Sequence, residues 1–201
     1  MCIRDREEGM QELIKKKIQL ATKNLDKYEE MRTILDEYEL DLRVVDIKGI
    51  EIQAFSVLNV AEHSAKVIAA KTKDAFLVED AGMYINSLYG FPGPYSSFVY
   101  KTIGLGGIVR LVKNRDDKKA EFHSALVFVE NGKIIKKFVG ITEGNISTNL
   151  QGDQGFGYDP IFIPKGKNKT YAEMSLGEKN QVSHRAKATR AFAEWLRKNH
   201  E

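Results

Sequence analysis

At its centre the chain carries the stretch Ser124-Ala-Leu-Val-Phe-Val-Glu-Asn-Gly-Lys-Ile-Ile-Lys-Lys-Phe-Val139. Two runs rich in β-branched and aromatic residues flank Asn131-Gly132, a pair that two-residue hairpin turns favour because both turn residues adopt positive φ. The stretch therefore predicts two antiparallel strands joined by a tight turn. A hairpin in the middle of the chain fixes part of a sheet, to which the flanking segments must be added.

The N-terminal half predicts strands that alternate with helices. Ile18-Gln-Leu-Ala and Leu42-Arg-Val-Val are strand-like runs. Between them, apolar residues recur at helical spacing from Tyr28 to Tyr38. Ser56 is a candidate N-cap for a second helix, because a serine hydroxyl accepts a bond from a free backbone N–H. This alternation is typical of α/β proteins.

A further buried strand is predicted at Ala75-Phe-Leu-Val, ending where Glu79-Asp80-Ala-Gly82 breaks the apolar pattern. Gly90-Phe-Pro-Gly-Pro-Tyr95 predicts irregular structure, since prolines remove donors and glycines free the backbone. The remaining elements are a helix over 106–112, a strand over 161–163 and a C-terminal helix over 181–198. Together with the hairpin they predict one α/β unit with a mixed sheet.

Composition narrows the class of protein. The 201 residues are 42% hydrophobic and 29% charged, which is ordinary globular usage. A net charge of +3 permits an anionic ligand but lacks the dense basic stripe of nucleic-acid binders. The one cysteine, Cys2, excludes an intramolecular disulfide, and we expect a reducing, cytoplasmic setting. No apolar run approaches the ~20 residues that cross a bilayer, so we expect no membrane partner.

Polar groups gather where the first strand turns into the first helix. Thr22-x-Asn24-x-x-Lys27 combines a hydroxyl, an amide and an ammonium with the free N–H groups of a helix start. That combination suits phosphate, although it lacks the glycine pattern of a P-loop. A capped helix with a solvated lysine explains the same residues without any ligand.

Carboxylates form a second candidate group, at Glu79-Asp80 with Glu51 upstream. Two carboxylates that the fold brings together can bind Mg²⁺ through oxygen and leave water in the remaining positions. Alternatively, Glu51 is a surface residue and Asp80 stabilises a turn. Spacing alone does not decide between these interpretations.

The third group begins at Gly155-Phe-Gly-Tyr-Asp-Pro160 and continues at Lys179 and Ser183-His-Arg185. Phe156 offers a flat face for a base, the glycines allow close approach, and Asp159 can accept from a ring N–H. Core aromatics and turn glycines are the structural alternative. With the basic residues, the group predicts a nucleotide pocket.

These blocks together resemble the inosine triphosphate pyrophosphatase family, also called Ham1-like. The match runs from about Lys17 to the C-terminus in the family's order. Lys23 stands where many members have glycine, and residues 1–9 lack a counterpart, so we expect them to be an appendage before a natural start at Met10. The matching blocks are Thr22-x-Asn24-x-x-Lys27, Val78-Glu-Asp-Ala-Gly82, Gly90-Phe-Pro-Gly-Pro-Tyr-Ser96, Phe156-Gly-Tyr-Asp-Pro160, Ala172-Glu-Met, Glu178-Lys-Asn and Ser183-His-Arg-Ala186.

The resemblance implies an elongated two-lobed α/β fold, with a central mixed β-sheet flanked by helices and a single domain over residues 10–201. It implies a Mg²⁺-dependent enzyme, usually a homodimer, whose active site lies in the cleft between the lobes. The implied reaction cleaves a nucleoside triphosphate between its α and β phosphates, and the preferred substrates are ITP, dITP and XTP. Deaminated purine nucleotides would thereby leave the nucleotide pool.

Residue roles follow from the same resemblance. Asp80 is expected to be metal ligand and proton acceptor, and Glu51 a second metal ligand. The triphosphate would be held by Thr22, Asn24, Lys27 and Lys179, and the base enclosed by Phe156, Asp159, His184 and Arg185. Lys23, Ala81, Gly157 and Tyr158 complete the expected substrate-binding set.

Two other functions remain open at this point. A Maf-type pyrophosphatase acts on other nucleotides, but the Ser-His-Arg and Phe-Gly-Tyr-Asp blocks speak against it. A binding module without chemistry is the alternative from a different class. It would have little reason to place the Glu51 and Asp80 carboxylates beside phosphates.

Overall fold

The computed structural model describes residues 16–199. This part of the chain forms seven strands and six α-helices, with three short 3-10 turns among the connections. The strands are β1 Lys16–Ala21, β2 Leu40–Val45, β3 Phe76–Ile85, β4 Pro92–Gly93, β5 Lys119–Glu130, β6 Lys133–Ile146 and β7 Phe162–Pro164. The helices are α1 Leu25–Asp36, α2 Val57–Ala69, α3 Ser96–Thr102, α4 Gly104–Val112, α5 Leu176–Val182 and α6 His184–Asn199.

All the strands belong to one mixed sheet. Its order is β2-β1-β3-β5-β6-β7, and the short β4 pairs with β3 beside this path. β1 is parallel to both β2 and β3, whereas the pairs from β3 through β7 are antiparallel. The predicted fold class, an α/β fold with a central mixed sheet flanked by helices, is confirmed.

The predicted hairpin is present and longer than its apolar core. β5 and β6 pair from Glu130 and Lys133 out to Lys119 and Asn145, with a bulge near Phe128. At the turn, Asn131 has φ +53° and Gly132 has φ +73°. Both values lie in the left-handed region, which asparagine and glycine tolerate best, so the sequence signal at the turn is the physical cause of the hairpin.

Helices cover both faces of the sheet. α1 and α6 bury Met31 and Phe192 against one face, in a cluster that includes Leu77 of β3. α2 covers the other face, in a cluster that includes Phe76 and Val78. Because successive strand residues point to opposite faces, this alternation orients the polar residues that follow on β3.

A third cluster lies around the far end of β3. It joins Met83 and Ile85 of the strand to Ile108 of α4 and to Phe162 and Tyr171. The segment after β3 returns to pair β4 with Met83 and Tyr84. Most of 90–95 is irregular, as predicted, but Pro92–Gly93 forms this short strand.

Two sequence predictions about element ends were wrong. Glu79-Asp80-Ala-Gly82 does not end the third strand, because β3 continues to Ile85 and pairs with β5 along its whole length. The C-terminal helix is two helices, α5 and α6, which Ser183 separates with extended backbone at φ −74° and ψ 153°. The Ser183 hydroxyl accepts from the Ala186 N–H at 3.2 Å, so it caps the start of α6.

The predicted appendage, residues 1–9, lies outside the described residues. The division of residues 10–201 into two lobes stays a prediction. Within residues 16–199, each helix is too short or too polar to cross a lipid bilayer.

Candidate active site

The sheet has an open edge beside the central residues of β3. β1 pairs with β3 at Phe76 and Leu77, and β4 pairs with it from Met83 onward. Between Leu77 and Met83, no strand of the described chain covers this edge. Ligands of α/β proteins bind beyond the carboxyl ends of parallel strands, and β1 ends here, where the β1–α1 loop begins. Asp80 lies in the middle of the gap.

Asp80 carries the unusual electrostatics of the gap. Its Oδ2 is buried and has no hydrogen-bond partner among the described residues. Burial raises its pKa to about 7, and the charges of Glu79 and Glu51 contribute to the rise although Lys27 opposes it. A carboxyl group whose pKa lies near neutrality can accept a proton at physiological pH.

Glu51 belongs to the exposed connection between β2 and α2. Its negative charge contributes to the raised pKa of Asp80, so the fold brings the two carboxylates into electrostatic contact. Within residues 16–199, no group of three or more His, Cys, Asp or Glu side chains could hold a metal. A pair suits Mg²⁺, which commonly uses one or two carboxylates and completes its shell with water and substrate phosphates. The unpartnered Oδ2 of Asp80 fits such an ion.

Glu79 faces the opposite side of the sheet, where its carboxylate is paired with two cations and a hydroxyl group. Its Oε1 accepts from the Ser124 hydroxyl at 2.6 Å and from the Arg185 Nε at 3.1 Å, and its Oε2 lies 2.8 Å from the Lys27 ammonium. Burial alone would raise the pKa of Glu79, but Arg185 and Lys27 outweigh it and lower the pKa to about 2. Glu79 is therefore a permanent anion.

The ion pairs continue from Arg185 into a buried network. Arg185 also pairs with Glu30, which lies 2.6 Å from Lys179, and Lys179 pairs with Asp159 at 2.5 Å. In residues 16–199, these contacts form the sequence Lys27, Glu79, Arg185, Glu30, Lys179, Asp159, in which positive and negative charges alternate. Three cations balance three carboxylates. We call this set the charge network.

Opposed effects set the pKa values inside the charge network. For Glu30, burial raises the pKa, but Arg185 and Lys179 prevail and the pKa is lowered. For Asp159, burial prevails over Lys179 and the pKa is raised. The Arg185 guanidinium, despite its burial, has its pKa raised by Glu79 and Glu30. Mutual neutralisation is what allows so many charges to be buried together.

Phe156 lies near two cations of the charge network. Its ring centroid is 5.0 Å from the Lys179 ammonium and 5.5 Å from the Arg185 guanidinium carbon. Asp159 fixes the loop, because its Oδ2 accepts from the Phe156 N–H at 2.8 Å. Gly155 has φ +71°, and a Cβ there would lie 2.1 Å from that same oxygen, so the turn needs glycine.

Three further predicted residues differ in what they can offer a ligand. His184 is buried, stacks on Phe122 at 4.5 Å, and has an Nδ1 without a partner among the described residues. Burial and the neighbouring cations lower its pKa well below its ordinary value, so it is neutral. Tyr158 points into the core and donates to the Ser96 carbonyl at 2.8 Å. Gly157 has φ +61° and faces open space.

The β1–α1 loop is shaped by its own side chains. Asn24 is the N-cap of α1, since its Oδ1 accepts from the Lys27 N–H at 3.1 Å, and the Thr22 hydroxyl accepts from the Asn24 N–H at 3.1 Å. The predicted capped helix is present, but the prediction of a solvated lysine is wrong, because Lys27 is mostly buried and pairs with Glu79. Lys23, which follows the end of β1, is exposed and pairs with Asp46, which follows the end of β2. Ala81 follows Asp80 on β3, and its backbone N–H opposes the rise in the pKa of the Asp80 carboxyl.

Sequence reasoning missed Glu30 and Ser124 and treated Glu79 only as a neighbour of Asp80. A signal for Glu30 was present, because it lies four residues before Ile34 on the buried face of α1. A charged residue inside an apolar stripe is buried only when it is paired. Ser124 gave no signal, since only the pairing of β3 with β5 brings it to Glu79.

The chain is similar to known proteins over most of its length. A model described as the Ham1 family matches residues 18–195. The chain is 44% identical to a dITP/XTP pyrophosphatase of Pyrococcus horikoshii, over 91% of this chain and 98% of the relative. It is 42% identical to one of Methanopyrus kandleri, over 91% and 97%. Among solved structures, a HAM1 protein from Coxiella burnetii matches with a TM-score of 0.79 and 28% identity over 91% and 99% of the two chains. The Ham1 protein of Staphylococcus aureus matches with a TM-score of 0.77 and 25% identity over the same shares.

Proposed function

The chain belongs to the Ham1 family and is a nucleoside triphosphate pyrophosphatase, and we propose that it hydrolyses ITP, dITP and XTP with Mg²⁺. Release of the monophosphate and pyrophosphate would remove deaminated purines from the nucleotide pool of the cytoplasm. The observation that carries the proposal is Asp80, a buried carboxyl with an unpartnered oxygen at the open edge of β3, close to Lys27 and Glu51.

The chemical step depends on the raised pKa of Asp80, which suits its carboxylate to accept a proton near neutral pH. A water molecule attacks the α-phosphorus, its proton passes to the Asp80 carboxylate, and the bond between the α-phosphorus and the bridging oxygen breaks as pyrophosphate leaves. Lys27, with its side chain 18% exposed, can place its ammonium beside the phosphates. Thr22 and Asn24 shape the helix start whose N–H groups face the same region. Glu51 and Asp80 would hold Mg²⁺, which neutralises phosphate charge when bound.

The residues that select the base lie on the face of β3 that Glu79 occupies, opposite Asp80. Phe156 provides a ring that a purine can stack on, and Arg185 provides guanidinium N–H groups beside it. A 6-oxo purine presents an acceptor at C6, whereas adenine presents an amino donor that Arg185 would leave unpaired. An unpaired buried polar group costs about 1–3 kcal/mol, which supports discrimination against adenine.

The deciding experiment measures pyrophosphate release from ITP, dITP, XTP, GTP and ATP, each with and without Mg²⁺. We expect Mg²⁺-dependent release that is fastest with the deaminated purines. Arg185→Lys should narrow the ratio of kcat/KM for ITP over ATP while the charge of the network is kept. Absence of Mg²⁺-dependent release from all five nucleotides would favour a binding module instead.

We also propose that the chain forms a homodimer. Around α3 the surface is unusually aromatic, with Tyr89 fully exposed and Phe98 67% exposed. Exposed apolar patches of this kind mark protein interfaces. The further exposed apolar residues of this segment are Phe91, Tyr95, Tyr100 and Ile103. Light scattering should give twice the chain mass of 22.8 kDa, and Phe98→Glu should shift the protein towards monomer. A monomeric wild-type protein would refute the dimer.

A further inference from the structure

Glu79 connects two parts of the proposed site that have different tasks. Through Oε2 it holds Lys27, which comes from the first turn of α1 and faces the phosphate side. Through Oε1 it holds Arg185, which comes from the first turn of α6 and faces the base side. In residues 16–199, it is the carboxylate that pairs with both of these side chains.

We propose that Glu79 is a positioning residue that transmits base recognition to Lys27. The proposal rests on the proposed function, since it requires that Arg185 contacts the base and Lys27 the triphosphate. Glu79 itself touches neither the base nor the triphosphate, because Lys27, Arg185 and the Ser124 hydroxyl surround its carboxylate.

The degree of burial along the charge network supports this direction of transmission. Lys27 is the network member with the most exposed side chain, at 18%, while the other members have 2% to 5%. The carboxylate of Glu79 is further fixed by the 2.6 Å bond from the Ser124 hydroxyl. Each buried member of the network thus has at least two partners, and the exposed end of the network is the Lys27 ammonium.

A 6-oxo purine keeps the ion pairs of Glu79 with Arg185 and Lys27 intact. When a 6-oxo group accepts from Arg185, the guanidinium stays in place, Glu79 stays in place, and Lys27 remains where the phosphates need it. An amino group in that position displaces Arg185, and Glu79 then keeps only the Ser124 hydroxyl at Oε1 and turns. Lys27 follows the carboxylate, so a wrong base lowers kcat as well as raising KM.

The test compares ITP with ATP in wild-type protein and in Glu79→Gln. We expect the ratio of kcat for ITP over ATP to fall by about 10- to 100-fold, the scale on which small misplacements act. Most of the fall should come from slower hydrolysis of ITP, with kcat for ATP nearly unchanged. Glu62→Gln is the matched control, because Glu62 also bridges two lysines, Lys66 and Lys137, but between α2 and β6 and with both lysines partly exposed. Its kcat ratio should equal that of wild type.

Ser124→Ala perturbs Glu79 less than Glu79→Gln does, because it changes no charge in the network. Losing one bond to Glu79 should lower the same kcat ratio by a few-fold, in the same direction as Glu79→Gln. A second check places Glu79→Gln in a Lys27→Met background, where it should change kcat for ITP far less than in wild type. Such non-additivity is expected of residues that act as a unit.

The outcomes separate this proposal from the function on which it rests. If wild type hydrolyses no ITP, the proposed function fails. If wild type hydrolyses ITP and Ser124→Ala and Glu79→Gln keep the wild-type kcat ratio, the function stands and the role of Glu79 is refuted. Equal losses of kcat for ITP and ATP would also refute it, because a purely structural residue would affect both alike.

Discussion

Glu79 and Asp80 are neighbours on β3, yet they occupy opposite electrostatic environments. Glu79 faces α1 and α6, where Arg185 and Lys27 lower its pKa to about 2. Asp80 faces the other side, where burial raises its pKa to about 7 and one oxygen has no partner among the described residues. The same strand thus carries one carboxylate that is paired with two cations and one that has no such ion pair among the described residues.

Because of this difference, the two carboxylates are suited to different tasks in the candidate site. A carboxylate held by two cations cannot take up a proton near neutral pH, so Glu79 is suited to positioning. A carboxyl that is buried and underbonded can bind a cation or accept a proton, so Asp80 is suited to reaction. Replacing members of each set should therefore produce different kinds of loss.

The largest effect on activity is expected at Asp80. Asp80→Asn keeps the shape and removes the proton acceptor, so kcat for ITP should fall by about 10²- to 10⁴-fold. The measurement is pyrophosphate release at saturating Mg²⁺, with the folded state verified by circular dichroism. Hydrolysis of ITP at the wild-type rate would show that the reactive carboxylate lies elsewhere.

A large effect on stability is expected in the charge network. Glu30→Ala leaves Lys179 and Arg185 with an uncompensated buried charge, which should lower the free energy of unfolding by about 3–5 kcal/mol. Denaturant unfolding measures it. Glu29→Ala, one residue earlier and paired with Arg32 on the exposed face, is the matched control and should show no comparable loss. Equal losses in the two variants would contradict the network's role.

Asp80→Asn, in contrast to Glu30→Ala, should raise the free energy of unfolding, and the size of this increase should depend on pH. Its pKa rises from 3.8 to about 7 on folding, so the stability due to its proton is full below pH 3.8 and is lost as pH rises through 7. Asp80→Asn cannot lose that proton. Without Mg²⁺, its advantage over wild type should grow by about 2–3 kcal/mol between roughly pH 5 and pH 8.5. A difference that is constant with pH would mean that Asp80 titrates normally.

The smallest effect is expected at Glu51, which is exposed and is the outer member of the carboxylate pair. Glu51→Gln should raise the Mg²⁺ concentration for half-maximal activity by about tenfold, the lower scale for losing a group at a metal site. The maximal rate at saturating Mg²⁺ should change less. An unchanged Mg²⁺ dependence would remove Glu51 from the metal site.

Much of the fold could be predicted because local signals agreed with it. Asn131-Gly132 has the positive φ values that its residue types favour, and Ser56 caps α2 as expected. The end of the third strand could not be predicted, because the pattern of β3 becomes polar where it enters the site. Its pairing with β5 overrides that local signal, since ten consecutive residue pairs continue through Ile85.

For the candidate site, the sequence singled out Asp80, Lys27 and Arg185 but could not show that Lys27 and Arg185 both pair with Glu79. Sequence reasoning assigned Glu30 no role in the site, whereas in the structure it is the buried partner of Lys179 and Arg185. Helical spacing shows that Glu30 shares a face with apolar residues, but it cannot show which cations approach from α5 and α6.

By itself, the sequence determined the element types, the family and the residues that carry chemical groups, because these follow from local spacing and side-chain chemistry. Only the tertiary structure decided which carboxylate would be neutralised and which would be left reactive. That decision depends on which face of β3 each residue occupies and on the cations that α1 and α6 bring to one of those faces. Electrostatic environment is a property of neighbours in space, and Glu79 and Asp80 differ in it although they are adjacent in the chain.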